Sequence, residues 1–145
     1  MARKRMIDPS FWDCPWLGKL SSDLRLLFIG LMCQADDEGK LIWEPALICS
    51  RIFPYHEEKT SQDIVAMASE LMTVSARDPA IWEYQVDGRD YLWFTKWHEY
   101  QKPSHPTPSK LPDCPVDQLP ESCQLPDSFY KAIGKKKEDF PHAQS

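Results

Sequence analysis

An α+β fold, three helices with a small antiparallel sheet, is what this sequence predicts, and three observations predict it. Apolar residues recur at helical spacing over 24–32. Two short aromatic-rich runs flank Asp87-Gly88. Seven of the thirteen prolines crowd into 103–126. At 145 residues, with 42% apolar residues and six tryptophans, the chain has room for one domain with a real core and a tail. We divide it into a basic N-terminal arm (1–18), a folded domain (19–102) and a Pro-rich, largely extended tail (103–145).

In the arm, Arg3, Lys4 and Arg5 precede "PSFWDCPW", whose Trp12 and Trp16 suit packing against the first helix. That helix is "SSDLRLLFIGLMCQA". Ser21 or Ser22 caps it, and Asp23 complements the positive end of its dipole. Leu24, Leu27, Phe28, Leu31 and Met32 form one apolar stripe. "DDEG" (36–39) ends the helix, with Gly39 supplying a left-handed position. Its three carboxyl groups lack the alternation of a calcium loop and read as a solvated turn.

"KLIW" (40–43) is branched and aromatic, a small strand. Pro45 opens a second helix, "PALICSRIF", which Pro54 stops. A third helix starts at Thr60 or Ser61 and runs to about Met72. Its apolar face is Ile64, Met67, Ala68 and Leu71, leaving Gln62, Asp63, Ala66, Ser69, Glu70 and Thr73 outward.

"IWEYQV" and "RDYLWF" then flank Asp87-Gly88, a pair suited to a two-residue type I′ turn. Trp82, Tyr84 and Val86 share one face of the first strand. The second strand is apolar or aromatic on both faces, as expected of a strand covered on both sides. Alternation makes Trp82, Tyr84, Trp93 and Phe94 packing residues, whereas Trp97 and Tyr100 lie beyond the strand and are expected to be exposed. Lys96 ends that strand. From Lys102 order should fade into extended, polyproline-like chain, with one short helix over 127–137.

Helix, short strand, helix, helix, hairpin is the order expected of a winged-helix domain, an order other small α+β folds can share. The second and third helices form the helix-turn-helix, and Asp87-Gly88 is the wing tip.

The net charge of −5 is uneven. Residues 6–95 carry 15 acidic and 7 basic side chains, whereas 1–5 and 96–110 are net positive. An acidic body between two basic strips is not a general nucleic-acid coat; nucleic acid would be drawn to the flanks. The five cysteines form no C-x-x-C pair and the four histidines supply no close ligand pair, so neither a metal site nor a disulfide framework is expected. Phosphate-loop, H-E-x-x-H and G-x-S-x-G signatures are absent, and five glycines leave little for a nucleotide cradle. Neighbours such as His98 and Glu99 point apart and make no acid–base pair. No catalytic residue and no cofactor is expected. The chain has neither a signal-type stretch nor an apolar run of the ~20 residues that cross a bilayer, so it is expected to be soluble and cytoplasmic.

"MIDPSFW", "LSSDLRLLFIGLMCQADDEGKL", "IFPY" and "VDGRDYLWFTKWHEYQKPSHPTPSKLP" together resemble the winged-helix domain of phage replication-initiation (replisome organiser) proteins, from about Arg3 to Pro112. The resemblance implies a protein of a bacterial host cell that binds DNA at a replication origin and helps recruit the helicase machinery. Such proteins usually carry a second domain, for which the stretch after Pro112 is short, so a stand-alone binding role is expected.

The expected nucleic-acid contacts, on duplex or single-stranded DNA, are Arg3, Lys4 and Arg5 as an arm, Arg89 beside the wing tip, and Lys96, Lys102 and Lys110. On the third helix only Gln62 is a base-edge reader, and Asp63 and Glu70 repel phosphate. The competing expectation is a winged-helix module that grips a protein through its acidic face, as an adaptor or inhibitor in replication or host defence. A homodimer through arms or wings fits either.

Overall fold

The computed structural model describes residues 2–74 and 78–123. Its architecture is α+β: among the described residues, six α-helices and one three-stranded antiparallel sheet. Three of those helices are the ones the periodicity predicts. α3 (Ser22–Gln34) is capped by the Ser21 hydroxyl, which accepts from the Leu24 amide at 3.2 Å, and it buries Leu24, Leu27, Phe28, Leu31 and Met32. α4 (Pro45–Ile52) begins on its proline, whose missing N–H costs a first turn nothing. α5 (Ser61–Thr73) opens with a reciprocal capping box between Thr60 and Asp63 and buries Ile64, Ala68 and Leu71.

The other three helices correct the expected count. α1 (Ser10–Asp13), α2 (Pro15–Gly18) and α6 (Trp97–Tyr100) are single turns. Four residues cannot display a period, so the sequence pattern does not announce them. Burial holds them instead: Phe11, Leu17 and Trp97 each sink into the main core. Trp97 is only 2% exposed and Tyr100 is half-buried, against the expectation of exposure for both. The chain after the last strand coils back on itself and takes its aromatics inward.

β1 (Lys40–Ile42), β2 (Ile81–Val86) and β3 (Arg89–Phe94) form the sheet in the order β1-β3-β2. Leu41 sits opposite Leu92, and Tyr84 opposite Tyr91. Asp87 and Gly88 have φ of 51° and 77°, the two positive values a type I′ turn requires. Strand alternation divides the side chains cleanly. Leu41, Ile81, Leu92 and Phe94 face the helices, where the rings of Phe28 and Phe94 meet edge-on at 5.4 Å. Tyr84 and Tyr91 stack at 5.4 Å on the opposite face, with Trp82, Val86 and Trp93 around them. β3 is therefore covered on both sides.

The outer cover is the segment expected to lose order. Residues 103–123 are irregular, with 3-10 turns at Val116–Gln118 and Glu121–Cys123, yet they run back across the sheet. Leu111, Cys114 and Leu119 pack on the outer aromatics. The Tyr84 hydroxyl donates to the Pro112 carbonyl at 2.6 Å, and the Trp82 indole N–H to the Gln118 carbonyl at 2.7 Å. The Gln118 side-chain amide also accepts from the Gln85 N–H and donates to the Gln85 carbonyl, both at 2.8 Å, so it imitates a neighbouring strand on the β2 edge. Prolines deny a segment ladder hydrogen bonds but do not stop its apolar side chains from packing. The helix expected over 127–137 lies outside the described residues. No helix of the described residues is long and apolar enough to cross a membrane.

Candidate functional site

The "DDEG" turn is not a solvated turn. Asp36 folds back on its own loop, its Oδ1 accepting from the Glu38 and Lys40 amides at 2.9 and 3.0 Å. Asp37 is 4% exposed and gathers partners from distant segments. Its Oδ2 accepts from Arg3 at 2.7 Å and from the Thr107 backbone N–H at 2.9 Å, and its Oδ1 from Arg5 at 2.9 Å. Those contacts, led by the Thr107 amide, outweigh the cost of burial and hold the carboxyl below the usual carboxylate range. The Trp97 indole donates to the Asp37 carbonyl at 2.8 Å. Glu38 accepts from the Ser109 amide at 2.6 Å. Lys40, buried on the outer face, pairs with Asp113 and, at 3.4 Å, with Glu38. Burial alone would lower its pKa; the two carboxylates raise it.

This network draws Arg5 of the expected DNA-contacting arm inward. Arg5 donates to the Met32 carbonyl at 3.2 Å and the Ala35 carbonyl at 2.8 Å, and its guanidinium lies 4.9 Å from the Trp97 ring centre. With its side chain 6% exposed, Arg5 is a helix cap rather than a phosphate contact. The reason is electrostatic: the last carbonyls of α3 and the Asp37 carboxylate together offer Arg5 an anionic site. The Arg3 backbone is likewise held, its N–H donating to the Cys33 carbonyl at 2.8 Å, while its side chain remains about half exposed. Lys4 is exposed.

The basic strip 96–110 is divided. Lys96 does not end β3; it precedes α6 and pairs with Asp78. Lys102 is exposed, and its charge acts on Asp8. Arg89 is exposed beside the hairpin tip, opposite Val86. Gln62 is exposed on α5 among Asp63 and Glu70.

Arg3 and Lys110 are brought to one groove. Both rim this groove of about 510 Å³, which runs along β1 and α4 on one side and the arm and the returning segment on the other. Two further cations line it, Lys40 and Arg51; neither was among the expected contacts, and the Arg51 guanidinium donates to Gln34 at 3.0 Å. As the basic residue in the last turn of the second helix it was visible in the sequence, but nothing local says what faces it. Leu41, Ile42, Leu47 and Leu111 give the groove an apolar floor, and Asp36 and Glu44 add carboxylates to its wall. No protein-family model, curated protein or solved structure matches the chain in sequence or fold comparison.

Proposed function

We propose that the chain is a non-enzymatic winged-helix DNA-binding protein of the kind that acts in phage replication initiation. The observation that carries this reading is the element order α3-β1-α4-α5-β2-β3, with β1 paired to β3 and the β2–β3 hairpin projecting beyond it. In a helix-turn-helix with a wing, α4 and α5 take the paired-helix role and the hairpin approaches the backbone. Arg89 at the hairpin and Lys4 in the arm are exposed and have no ion pair among the described residues, and with Lys102 they supply phosphate contacts. The outward face of α5 carries Gln62 among small and acidic residues, so binding is directed at the backbone rather than at base edges. Fluorescence anisotropy with labelled duplex and single-stranded oligonucleotides tests this. Three phosphate contacts on duplex DNA give a log–log salt slope of about −2.7, and Arg89→Glu with Lys102→Glu weakens binding to every sequence alike. Absence of binding to either strand form at the lowest salt rejects it.

A second reading rests on α5 itself. Its exposed face carries Asp63 and Glu70, no cation occurs in the helix, and Val65 is 48% exposed on its flank near Gln62. A protein-interaction module, acting as adaptor or inhibitor, would use this acidic face against a basic partner. It predicts a nuclease-resistant complex that Glu70→Lys abolishes and Arg89→Glu leaves intact.

A further inference from the structure

The β1 edge contains a main-chain group left open. Phe94 N–H donates to the Gly39 carbonyl and Trp43 N–H to the Asp90 carbonyl, each at 2.8 Å. In an antiparallel ladder the bonded residues alternate. Leu41, opposite Leu92, therefore bonds β3, while the main chains of Lys40 and Ile42 turn to the other edge. Lys40 is satisfied there: its N–H donates to the Asp36 carboxylate and its carbonyl accepts from the Asp36 N–H at 2.8 Å. Ile42 has no hydrogen-bond partner among the described residues, and it is 40% exposed at the groove.

We infer that this groove docks an extended, acidic segment of a partner protein, which adds to the β1 edge at Ile42. An extended chain offers the Ile42 N–H and carbonyl two main-chain bonds, the mode by which peptides extend an exposed sheet edge. Alternate residues of such a segment point to opposite sides. Aliphatic side chains on one side fill the floor made by Leu47 and Leu111. Carboxylates on the other reach Arg51 and Lys110, neither of which has an ion pair among the described residues, and the exposed part of Arg3. Nucleic acid fits less well, because among the described residues no aromatic ring lines the groove for a base to stack on. The inference is independent of whether the chain binds DNA, since Lys4, Arg89 and Lys102 lie outside the groove.

Panning a random octapeptide phage library on the full chain tests the inference, followed by amide chemical-shift mapping with the recovered peptides. The expected peptides alternate Asp or Glu with Ile, Val or Leu and shift the Ile42, Leu47 and Lys110 amides. Arg51→Glu with Lys110→Glu weakens them about tenfold at low salt. Lys110→Glu alone, at an exposed position, keeps the test valid if the change in α4 disturbs folding, and it should give a smaller loss of the same sign. The inference is overturned if panning yields no binder, if recovered peptides bind the variants unchanged, or if their shifts map elsewhere. It also fails if a single-stranded oligonucleotide occupies the groove in their place, or if sedimentation shows the groove filled by a second copy of the chain.

Discussion

Asp37 draws Arg3 and Arg5 from the arm and Thr107 from the returning segment onto one buried carboxylate. Asp37→Asn removes the charge and leaves the Arg5 guanidinium buried without its counter-ion. Breaking a buried pair in this way costs on the order of 3 kcal/mol, measurable as a lower urea midpoint. The same residue sets an acid limit. Its folded pKa lies below the ordinary value of 3.8. Its contribution is therefore complete above that value and is lost as pH falls through the folded one. The wild-type stability curve should turn down at acid pH more steeply than that of Asp37→Asn; parallel curves would remove Asp37 from this role. Two residues along, Gly39 has φ +82°, and a Cβ there would stand 2.8 Å from the Trp97 side chain. Gly39→Ala adds left-handed strain to a clash with a packed indole. A loss of about 2 kcal/mol or more in chemical denaturation is expected.

Among the elements, α5 begins through side chains rather than through packing. The Thr60 hydroxyl accepts from the Asp63 amide at 3.2 Å, and the Asp63 carboxylate from the Thr60 amide at 2.8 Å. Thr60→Ala removes one half of this box and should cost about 1 kcal/mol. Because the residue is exposed, the change should leave near-UV circular dichroism intact; an unaltered denaturation midpoint would refute the cap's contribution. The hairpin is specified in a similarly local way, since Asp87 and Gly88 adopt the positive φ pair their residue types tolerate. α1 and α6 have no comparable local signal and α2 has only its opening Pro15; all three are held because Phe11, Leu17 and Trp97 find places in the core.

At the scale of the whole molecule, the sheet lies between two unequal covers. Helices bury one face in the large core, and residues 103–123 bury the other in a smaller aromatic cluster. Burial there pushes the Cys114 thiol up to about 12. A chain ending at Lys102 would uncover Trp82, Tyr84, Tyr91 and Trp93. Each fully buried apolar side chain is worth roughly 1.5–3 kcal/mol. The shortened chain should therefore lose at least about 3 kcal/mol and bind the dye ANS. A shortened chain with unchanged stability and no dye binding would mean that the segment is only a passive tail.

The sequence by itself determined what is settled within a short window. The α3 stripe, the Thr60 cap, the proline start of α4 and the Asp87-Gly88 turn are set by period and by turn chemistry within a few residues. Tertiary structure alone decided which distant surface each ambiguous segment meets. Arg5 reads as a free basic residue until Asp37, 32 positions on, is folded beside it. Trp97 reads as exposed until Gly39 leaves room for its ring, and the proline-rich stretch reads as open chain until the outer aromatics of β2 and β3 receive it. The candidate groove was legible only in part: Arg3 and Lys110 stood out as basic, but Arg51 and the open edge at Ile42 did not. Charge pairing and edge exposure depend on distances in space, and chain spacing does not fix those distances until the core has closed.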